Sequence, residues 1–332
     1  MKYRKFANTN IELSSIGLGC MGMSAAYGQK DDIQSLATLE KSIELGINFW
    51  DTADIYANGA NEELISKILT KNRDKIFIAT KFGFRMKDET KDSFSGDVYV
   101  DCSSKHIKEA VEKSLKRLNT DVIDLYYAHR IDPNTPIEET IEAMAKLVQE
   151  GKIKYLGLSE CTPEELKKAH AIHPISALQS EYSLLYREVE KEILPITKEL
   201  GITFVPFAPL GRGLMSNKLD ISSLSDSDFR KNLPRYDGEY LQNNQKLISE
   251  LEQVALSKNA TSAQLSLAWV LAQSDNIIPI PGTKKIKYLE ENAKAVDLHL
   301  TKKDLEKIEN ILKKYPNVGP RYSDRENKFV KK

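Results

Sequence analysis

The sequence is poor in cysteine. Cys20, Cys102 and Cys161 are the only three in 332 residues, and no two stand in CxxC spacing. An odd, scattered set argues against a disulfide framework and a zinc knuckle. Long apolar runs are also missing, since none approaches the roughly 20 residues needed to span a bilayer. The opening MKYRKFANTN lacks the apolar stretch of a secretory signal. A soluble, cytoplasmic protein with no membrane partner is expected. Charge of one sign is not in excess either, with 48 Lys and Arg against 48 Asp and Glu. The electrostatic footprint of a dedicated nucleic-acid binder is therefore missing, and no nucleic-acid partner is expected. No linker-like shift of composition divides the chain, so 1–332 reads as one domain. Nothing in it chooses between monomer and homo-oligomer.

What is present is a repeated alternation. Short apolar, β-branched runs predict strands at 15–19, 47–50, 76–80, 122–128, 154–158, 177–179, 202–207 and 277–281. Amphipathic stretches predict helices at 33–45, 62–69, 104–118, 137–150, 163–171, 187–200, 263–272 and 285–292. Thr162-Pro163-Glu164-Glu165 combines an N-cap, a first-turn proline and two early carboxylates. Gly46, Gly151 and Gly201 each end a periodic helix and directly precede a strand, where a left-handed C-cap belongs. Helix–glycine–strand punctuation implies parallel strands with helical crossovers. Eight such units point to a closed (β/α)8 TIM barrel rather than an open doubly wound sheet.

The remaining length has its own pattern. Residues 82–101 and 212–242 are polar, aperiodic and follow strands, so they read as loops of a barrel's active face. Added helices are expected at 244–257 and 302–314, the second opening a C-terminal helix and tail over about 301–332. Residues 1–14, with Asn8-Thr9-Asn10 as the turn, predict an N-terminal β-hairpin plugging the barrel.

Gly17-Leu18-Gly19-Cys20-Met21-Gly22 matches the dinucleotide fingerprint G-x-G-x-x-G literally. That motif needs a helix opening on its last glycine and an acidic residue roughly 20 positions on, at a strand end. Here the helix starts only near Asp31, and Glu40 lies inside it. The segment is read instead as a tight loop leaving the first barrel strand.

In a barrel, residues just past each strand converge on one face however far apart they lie in sequence. Asp51, Lys81 and His129 hold such positions, and Tyr56 follows Asp51 by five residues. A tyrosine hydroxyl with an ordinary pKa near 10 is a poor acid at neutral pH until a cation lowers it. Lys81 is placed to supply the cation, Asp51 to keep it charged, and His129 to position a carbonyl oxygen. Each has a structural alternative: a loop-amide acceptor, a solvated lysine, a core ring with a wet tip, a satisfied core histidine. The coincidence of all of them at one face favours the chemical reading.

These segments resemble the aldo-keto reductases. The resemblance runs through Asp51-Thr52-Ala53-Asp54-Ile55-Tyr56 with Asn61-Glu62-Glu63, Ala79-Thr80-Lys81 and Tyr126-Tyr127-Ala128-His129-Arg130. It continues in order through Gly157-Leu158-Ser159-Glu160, Gln179-Ser180-Glu181-Tyr182, Pro209-Leu210-Gly211-Arg212-Gly213 and Pro281-Gly282-Thr283-Lys284. The His129-Arg130 pair and Gly19-Cys20-Met21-Gly22-Met23 resemble the subgroup that includes perakine reductase and pyridoxal reductase-like enzymes.

The resemblance implies a barrel that binds NADPH across its C-terminal face and reduces a small-molecule carbonyl, aldehyde or ketone, to an alcohol. Tyr56 would be the general acid, Lys81 and Asp51 its tuning pair, and His129 the residue that orients the substrate. The implied cofactor contacts are Met21, Gly22, Asp51, Ser159, Gln179, Phe207, Ala208, Pro209, Leu210, Gly211, Gly213, Lys218, Pro281, Gly282, Thr283, Lys284, Tyr288, Glu291 and Asn292. Among them Ser159 and Gln179 would hold the nicotinamide amide, and Glu291 and Asn292 the adenine. Phe207 stands where the family usually has a tyrosine, Ala208 where a serine is common, and Glu160 where many members have asparagine. Lys284, Lys285 and Lys287 crowd the start of the last barrel helix, where cations oppose the helix dipole unless an anion sits among them. The 2′-phosphate of NADPH would be that anion; a solvated lysine-rich turn is the alternative.

Two rivals follow. One is a redox-sensing regulatory subunit that binds NADPH and turns over slowly, as the channel β-subunits resembling this barrel do. The other is a hydrolase, since a barrel alone fixes no chemistry. No metal is expected, because His170 and His173 have no further ligand near them and only His129 stands at a strand end. Arg130 would either recognise an anionic or phenolic group or pair with Asp132. The tail, 315–332, would either cover the substrate opening or stay free.

Overall fold

The computed structural model describes residues 1–24, 26–88, 97–217, 219–225, 228–323 and 327–330. The chain opens with β1 (Tyr3–Lys5) and β2 (Glu12–Ser14), paired antiparallel. Then come β3 (Leu18–Gly19), β4 (Phe49–Asp51), β5 (Phe77–Phe82), a second hairpin of β6 (Phe84–Met86) and β7 (Val98–Val100), and β8 (Ile123–Ala128). β9 (Ile153–Ser159), β10 (Ile175–Glu181) and β11 (Thr203–Phe207) complete the set. Strands β3, β4, β5, β8, β9, β10 and β11 form one parallel sheet in chain order.

The predicted eighth strand is reduced to a partial ladder, and its prolines explain why. Ile278 and Ile280 donate to Phe204 and Pro206 on one side, at 2.9 and 3.0 Å. On the other side Pro279 and Pro281 accept from Gly17 and Gly19, at 2.9 and 3.3 Å, but have no N–H to give back. Segment 277–281 thus closes the barrel between β11 and β3 with one direction of hydrogen bonding missing on the β3 side.

The literal G-x-G-x-x-G has its cause at this seam. A Cβ on Gly19 would stand 2.7 Å from the Ile280 carbonyl oxygen, and one on Gly17 would stand 2.7 Å from the Phe49 ring. These glycines let the first and last barrel segments meet. Gly19→Ala is expected to destabilise the protein by about 1–3 kcal/mol, as overpacking does where backbone cannot yield. Chemical denaturation of the variant checks this.

Helices α1 (Asp32–Glu44), α2 (Ala60–Leu69), α3 (Ser104–Leu118), α4 (Ile137–Gln149), α5 (Pro163–Ile172) and α6 (Ile193–Glu199) follow the strands. After them come α7 (Gly238–Leu256), α8 (Ser262–Ala272), α9 (Ile286–Ala293) and α10 (Lys302–Lys314). Asp31 caps α1, and Thr162 with Glu165 closes a capping box on α5. Gly46, Gly151 and Gly201 hold φ of 77°, 72° and 66°, the left-handed turns expected of them.

Three predicted elements need correction. The helix at 187–200 is broken into a turn at Glu188–Glu190 and α6, which places Pro195 in a first turn, where its missing N–H costs nothing. The loop at 82–101 contains β6 and β7. The helix at 244–257 begins earlier, at Gly238, and the four 3-10 turns between Gly211 and Tyr236 precede it.

The hairpin β1–β2 covers the amino ends of the strands. Phe6 packs on Phe77 and Tyr155 with ring centroids 4.9 and 5.3 Å apart, and Phe49 joins them. The carboxyl ends are left open, and the long connections gather there.

Candidate active site

Lys81, at the end of β5, is fully buried. Its Nζ donates to Asp51 Oδ1 at 2.5 Å, to the Thr52 carbonyl at 2.7 Å, and stands 3.5 Å from the Tyr56 hydroxyl. Gln179 on β10 donates to the other Asp51 oxygen at 2.8 Å. Burial pushes the Asp51 carboxyl above its ordinary value, against the pull of Lys81 and Gln179. Burial would lower Lys81, but Asp51 and Tyr56 outweigh it and hold the ammonium above its ordinary value. The expected lowering of Tyr56 is not seen in this structure: burial outweighs the Lys81 attraction and the hydroxyl sits above its ordinary value. Tyr56 is therefore protonated throughout the neutral range.

The loop that carries Tyr56 is tied from two sides. Asn61 accepts from the Thr52 hydroxyl at 2.6 Å and donates to the Cys20 carbonyl and Ser24 hydroxyl, both at 2.9 Å. Glu62 accepts from Thr80 and Arg117, both at 2.6 Å. Those buried bonds explain why Asn61 and Glu62 accompany the Asp51–Tyr56 segment. His129, past β8, holds its main chain to Phe82 at 2.8 Å and sets its ring edge-on to Tyr56 with centroids 5.9 Å apart. Burial, then Lys81 and Arg130, keep the imidazole well below its ordinary value, so it is neutral. Its Nδ1 is buried without a partner among the described residues.

Tyr56 and His129 line a cleft of ≈ 1110 Å³ that runs across the carboxyl ends of the strands. Asp51, Ser159, Gln179, Phe207, Ala208, Pro209, Leu210 and Gly213 lie along it, as do Met21, Gly22, Pro281, Gly282, Thr283, Lys284, Tyr288, Glu291 and Asn292. Lys81 lies beneath this lining rather than in it. One expected contact lies off the cleft and another is not described. Gly211 is buried off the cleft, at φ 54° with Leu185 2.8 Å from where a Cβ would be. Lys218 lies outside the described residues. In the lysine cluster, Lys284 donates to the carbonyls of Tyr27 and Gln29 at 2.8 and 2.5 Å, and Lys287 does not line the cleft.

Arg130 does not pair with Asp132. The Asp132 carboxylate accepts from the Cys102 amide, the Asn134 amide and the Thr135 hydroxyl. Arg130 instead donates to its neighbour's carbonyl, His129 O, at 2.7 Å and to Ser159 Oγ at 3.3 Å. His170 and His173 serve local backbone, at the Ile175 amide and the Pro174 carbonyl. Cys20 is buried with its thiol raised by burial, a small core filler. Among the described residues no group of His, Cys, Asp and Glu is placed to hold a metal, and no helix is long and apolar enough to cross a membrane.

Sequence reasoning missed what Glu160 does. With φ 55° it turns its carboxylate to Arg321 of the tail and accepts two parallel hydrogen bonds from the guanidinium, at 2.9 and 2.5 Å. Although burial works the other way, Arg321 keeps Glu160 below its ordinary value. Glu181 accepts from Arg212 and Arg235, and Arg235 also donates to the Gly319 carbonyl. The described part of the tail is thereby brought to the cleft, which Tyr322 and Phe329 line, with Phe329 edge-on to Phe84 at 5.3 Å. No local signal pointed there, since the partners are 161 residues apart. Glu160→Gln leaves Arg321 with only the more distant Glu181, at 3.9 Å. Cleavage of the tail by thermolysin is expected to quicken about tenfold, as seen by mass spectrometry of timed digests.

A parallel barrel with a Tyr–Lys–Asp cluster and a neutral histidine at the carboxyl end of its strands, beside a long cleft, defines a class of barrel oxidoreductases. The comparisons agree with that class. The Aldo/keto reductase family model matches residues 15–313, and the chain belongs to that family. It is 42% identical over 320 residues to a probable aldo-keto reductase 1 of Glycine max, covering 96% of this chain and 91% of that protein. It is 41% identical over 325 residues to the NADP(+) aldo-keto reductase yakc of Schizosaccharomyces pombe, covering 96% and 94%. The solved glycerol dehydrogenase of Gluconobacter oxydans superposes with a TM-score of 0.87 at 27% identity, covering 96% of this chain and 97% of that one. The protein is an oxidoreductase that reduces carbonyl groups.

Proposed function

We propose that this protein reduces aldehydes, and some ketones, to alcohols with NADPH, and that Tyr56 is the proton donor. One observation carries the reading. The Tyr56 hydroxyl sits beside a charged Lys81 and a neutral His129 in the wall of a cleft of ≈ 1110 Å³, roomy enough for a dinucleotide.

The cleft residues fit that cofactor. Ser159 and Gln179 offer polar groups near Asp51, Phe207 offers a half-buried ring, and Glu291 and Asn292 line the far part with Lys284 and Lys285. The yeast relative's name carries NADP(+), and the lysines supply positive charge for a phosphate. When bound, NADPH supplies the hydride for the carbonyl carbon.

The side chains handle the oxygen. His129, neutral and with a free ring nitrogen, orients the carbonyl oxygen toward Tyr56. Tyr56 gives its proton as negative charge develops on that oxygen, and solvent restores it after release. Lys81 stabilises the transient tyrosinate across 3.5 Å, and Asp51 with Gln179 fixes Lys81. The cofactor brings the difficult chemistry, and the protein supplies orientation and a placed acid.

The test is the loss of NADPH absorbance with purified protein and a panel of aldehydes, pyridoxal and an aromatic aldehyde among them. Turnover supports the reductase. Tight NADPH binding without turnover on any carbonyl would favour the regulatory alternative, and binding of neither nicotinamide cofactor would overturn the reading.

A further inference from the structure

The part of the cleft nearest Tyr56 is unusually rich in buried guanidinium. Arg130 and Arg212 line the cleft, and Arg235 and Arg321 are buried behind it on the carboxylates that also hold Arg212 and the tail, with Arg130 and Arg321 each 8% exposed and Arg235 4%. Arg212 and Arg235 are held on Glu181, while Arg321 is held on Glu160. Four guanidiniums therefore face two carboxylates. Three of the four have an ion-pair partner.

Arg130 is the exception. Among the described residues no carboxylate lies within ion-pair distance of it. Its two hydrogen bonds go to neutral oxygens, and its Nε is buried without a partner. One face of the guanidinium meets the Phe84 ring, with Cζ 5.6 Å from the centroid. It immediately follows His129 and lines the same cleft. Asp132, the nearest acid in sequence, is saturated by the Cys102 and Asn134 amides and the Thr135 hydroxyl.

A guanidinium stays charged under any ordinary condition. A buried charge without a partner costs several kcal/mol, and a site that keeps one gains when a counter-ion arrives. Tyr322, which also lines this part, adds a hydroxyl donor. Arg130 is the one guanidinium of the four with no carboxylate on it, and a monoanion would supply that partner.

Resting on the reductase reading above, we propose that the substrate is an aldehyde that also bears a carboxylate, and that Arg130 binds that carboxylate while Tyr56 and His129 engage the carbonyl. The tail then bears on the same end of the site, since Arg321 takes both oxygens of Glu160, a carboxylate that also feels Arg130 without contacting it. Arg130 is a specificity-determining residue rather than part of the proton transfer.

The experiment compares matched pairs: 4-formylbenzoate with its methyl ester, and 4-oxobutanoate with butanal. Wild-type enzyme is expected to favour the carboxylated member of each pair by about tenfold or more in kcat/KM, chiefly through KM. Added salt should shrink the advantage. Arg130 also supports the His129 carbonyl and Ser159, so its replacement lowers the rates with both members, and the ratio between them is the readout. Arg130→Gln should collapse the preference at least tenfold, and Arg130→Lys should restore part of it. A wild-type enzyme that reduces the neutral members as well as the acids overturns the proposal and leaves the reductase intact. So does a ratio unmoved in Arg130→Gln. No turnover of any of the four overturns both.

Discussion

Tyr56→Phe is expected to lower the rate of aldehyde reduction about a thousandfold while leaving NADPH affinity within a few-fold of wild type. The substitution removes one oxygen and keeps the ring that packs edge-on to His129. General acid catalysis by a placed group is worth about 10²–10⁴ in rate, and the neutral His129 holds the oxygen rather than protonating it. Lys81 cannot substitute, because Asp51 and the Thr52 carbonyl hold its ammonium at 2.5 and 2.7 Å. Single-turnover reduction measured beside NADPH binding by fluorescence separates the two quantities. Near-wild-type turnover in Tyr56→Phe would remove the tyrosine from the mechanism.

Lys81→Met should damage both folding and activity. It leaves Asp51, 3% exposed, as a buried carboxylate held only by Gln179. Removing one partner of a buried ion pair costs about 3–5 kcal/mol, more than the pair itself contributes over an apolar replacement. The sign with pH follows from Asp51. Burial already raises its carboxyl, and without Lys81 it rises further. The penalty is therefore full above that folded value and disappears as pH falls through it toward the ordinary carboxylate range. Urea unfolding at neutral and acid pH reads this directly. Adding Asp51→Asn to Lys81→Met should recover most of the lost stability and none of the activity. A double variant as unstable as the single one would show that packing, not charge, carries the cost.

Much of the architecture was legible in local chemistry. Gly46, Gly151 and Gly201 marked left-handed helix ends, and the Thr162 capping box marked a helix start, because caps depend on near neighbours. Asp51, Lys81 and His129 could be gathered in advance because a parallel barrel sends every strand end to one face. What escaped depends on distant partners. Glu160 looked like an odd replacement until Arg321 was seen on it, and Arg130 had two possible fates until Asp132 proved to be occupied. Lys284 showed only a charge in the sequence, whereas in the fold its ammonium is also fixed on the Tyr27 and Gln29 carbonyls. Pro195 and the Pro279–Pro281 pair were visible but underused, and each altered the element around it for want of an N–H.

The seam between β3 and segment 277–281 has a thermodynamic corollary. Gly19, Met21 and Gly22 line the cleft on one side of it, and Ile280, Pro281, Gly282 and Thr283 line it on the other. A ligand lying along the cleft touches both lips of the one joint where the barrel's ladder lacks half its rungs. Its binding energy is then partly the energy of keeping the ring shut, since the opened form offers it only one lip. A filled cleft is therefore expected to hold the ring shut at its glycine–proline joint and to raise the temperature at which it opens.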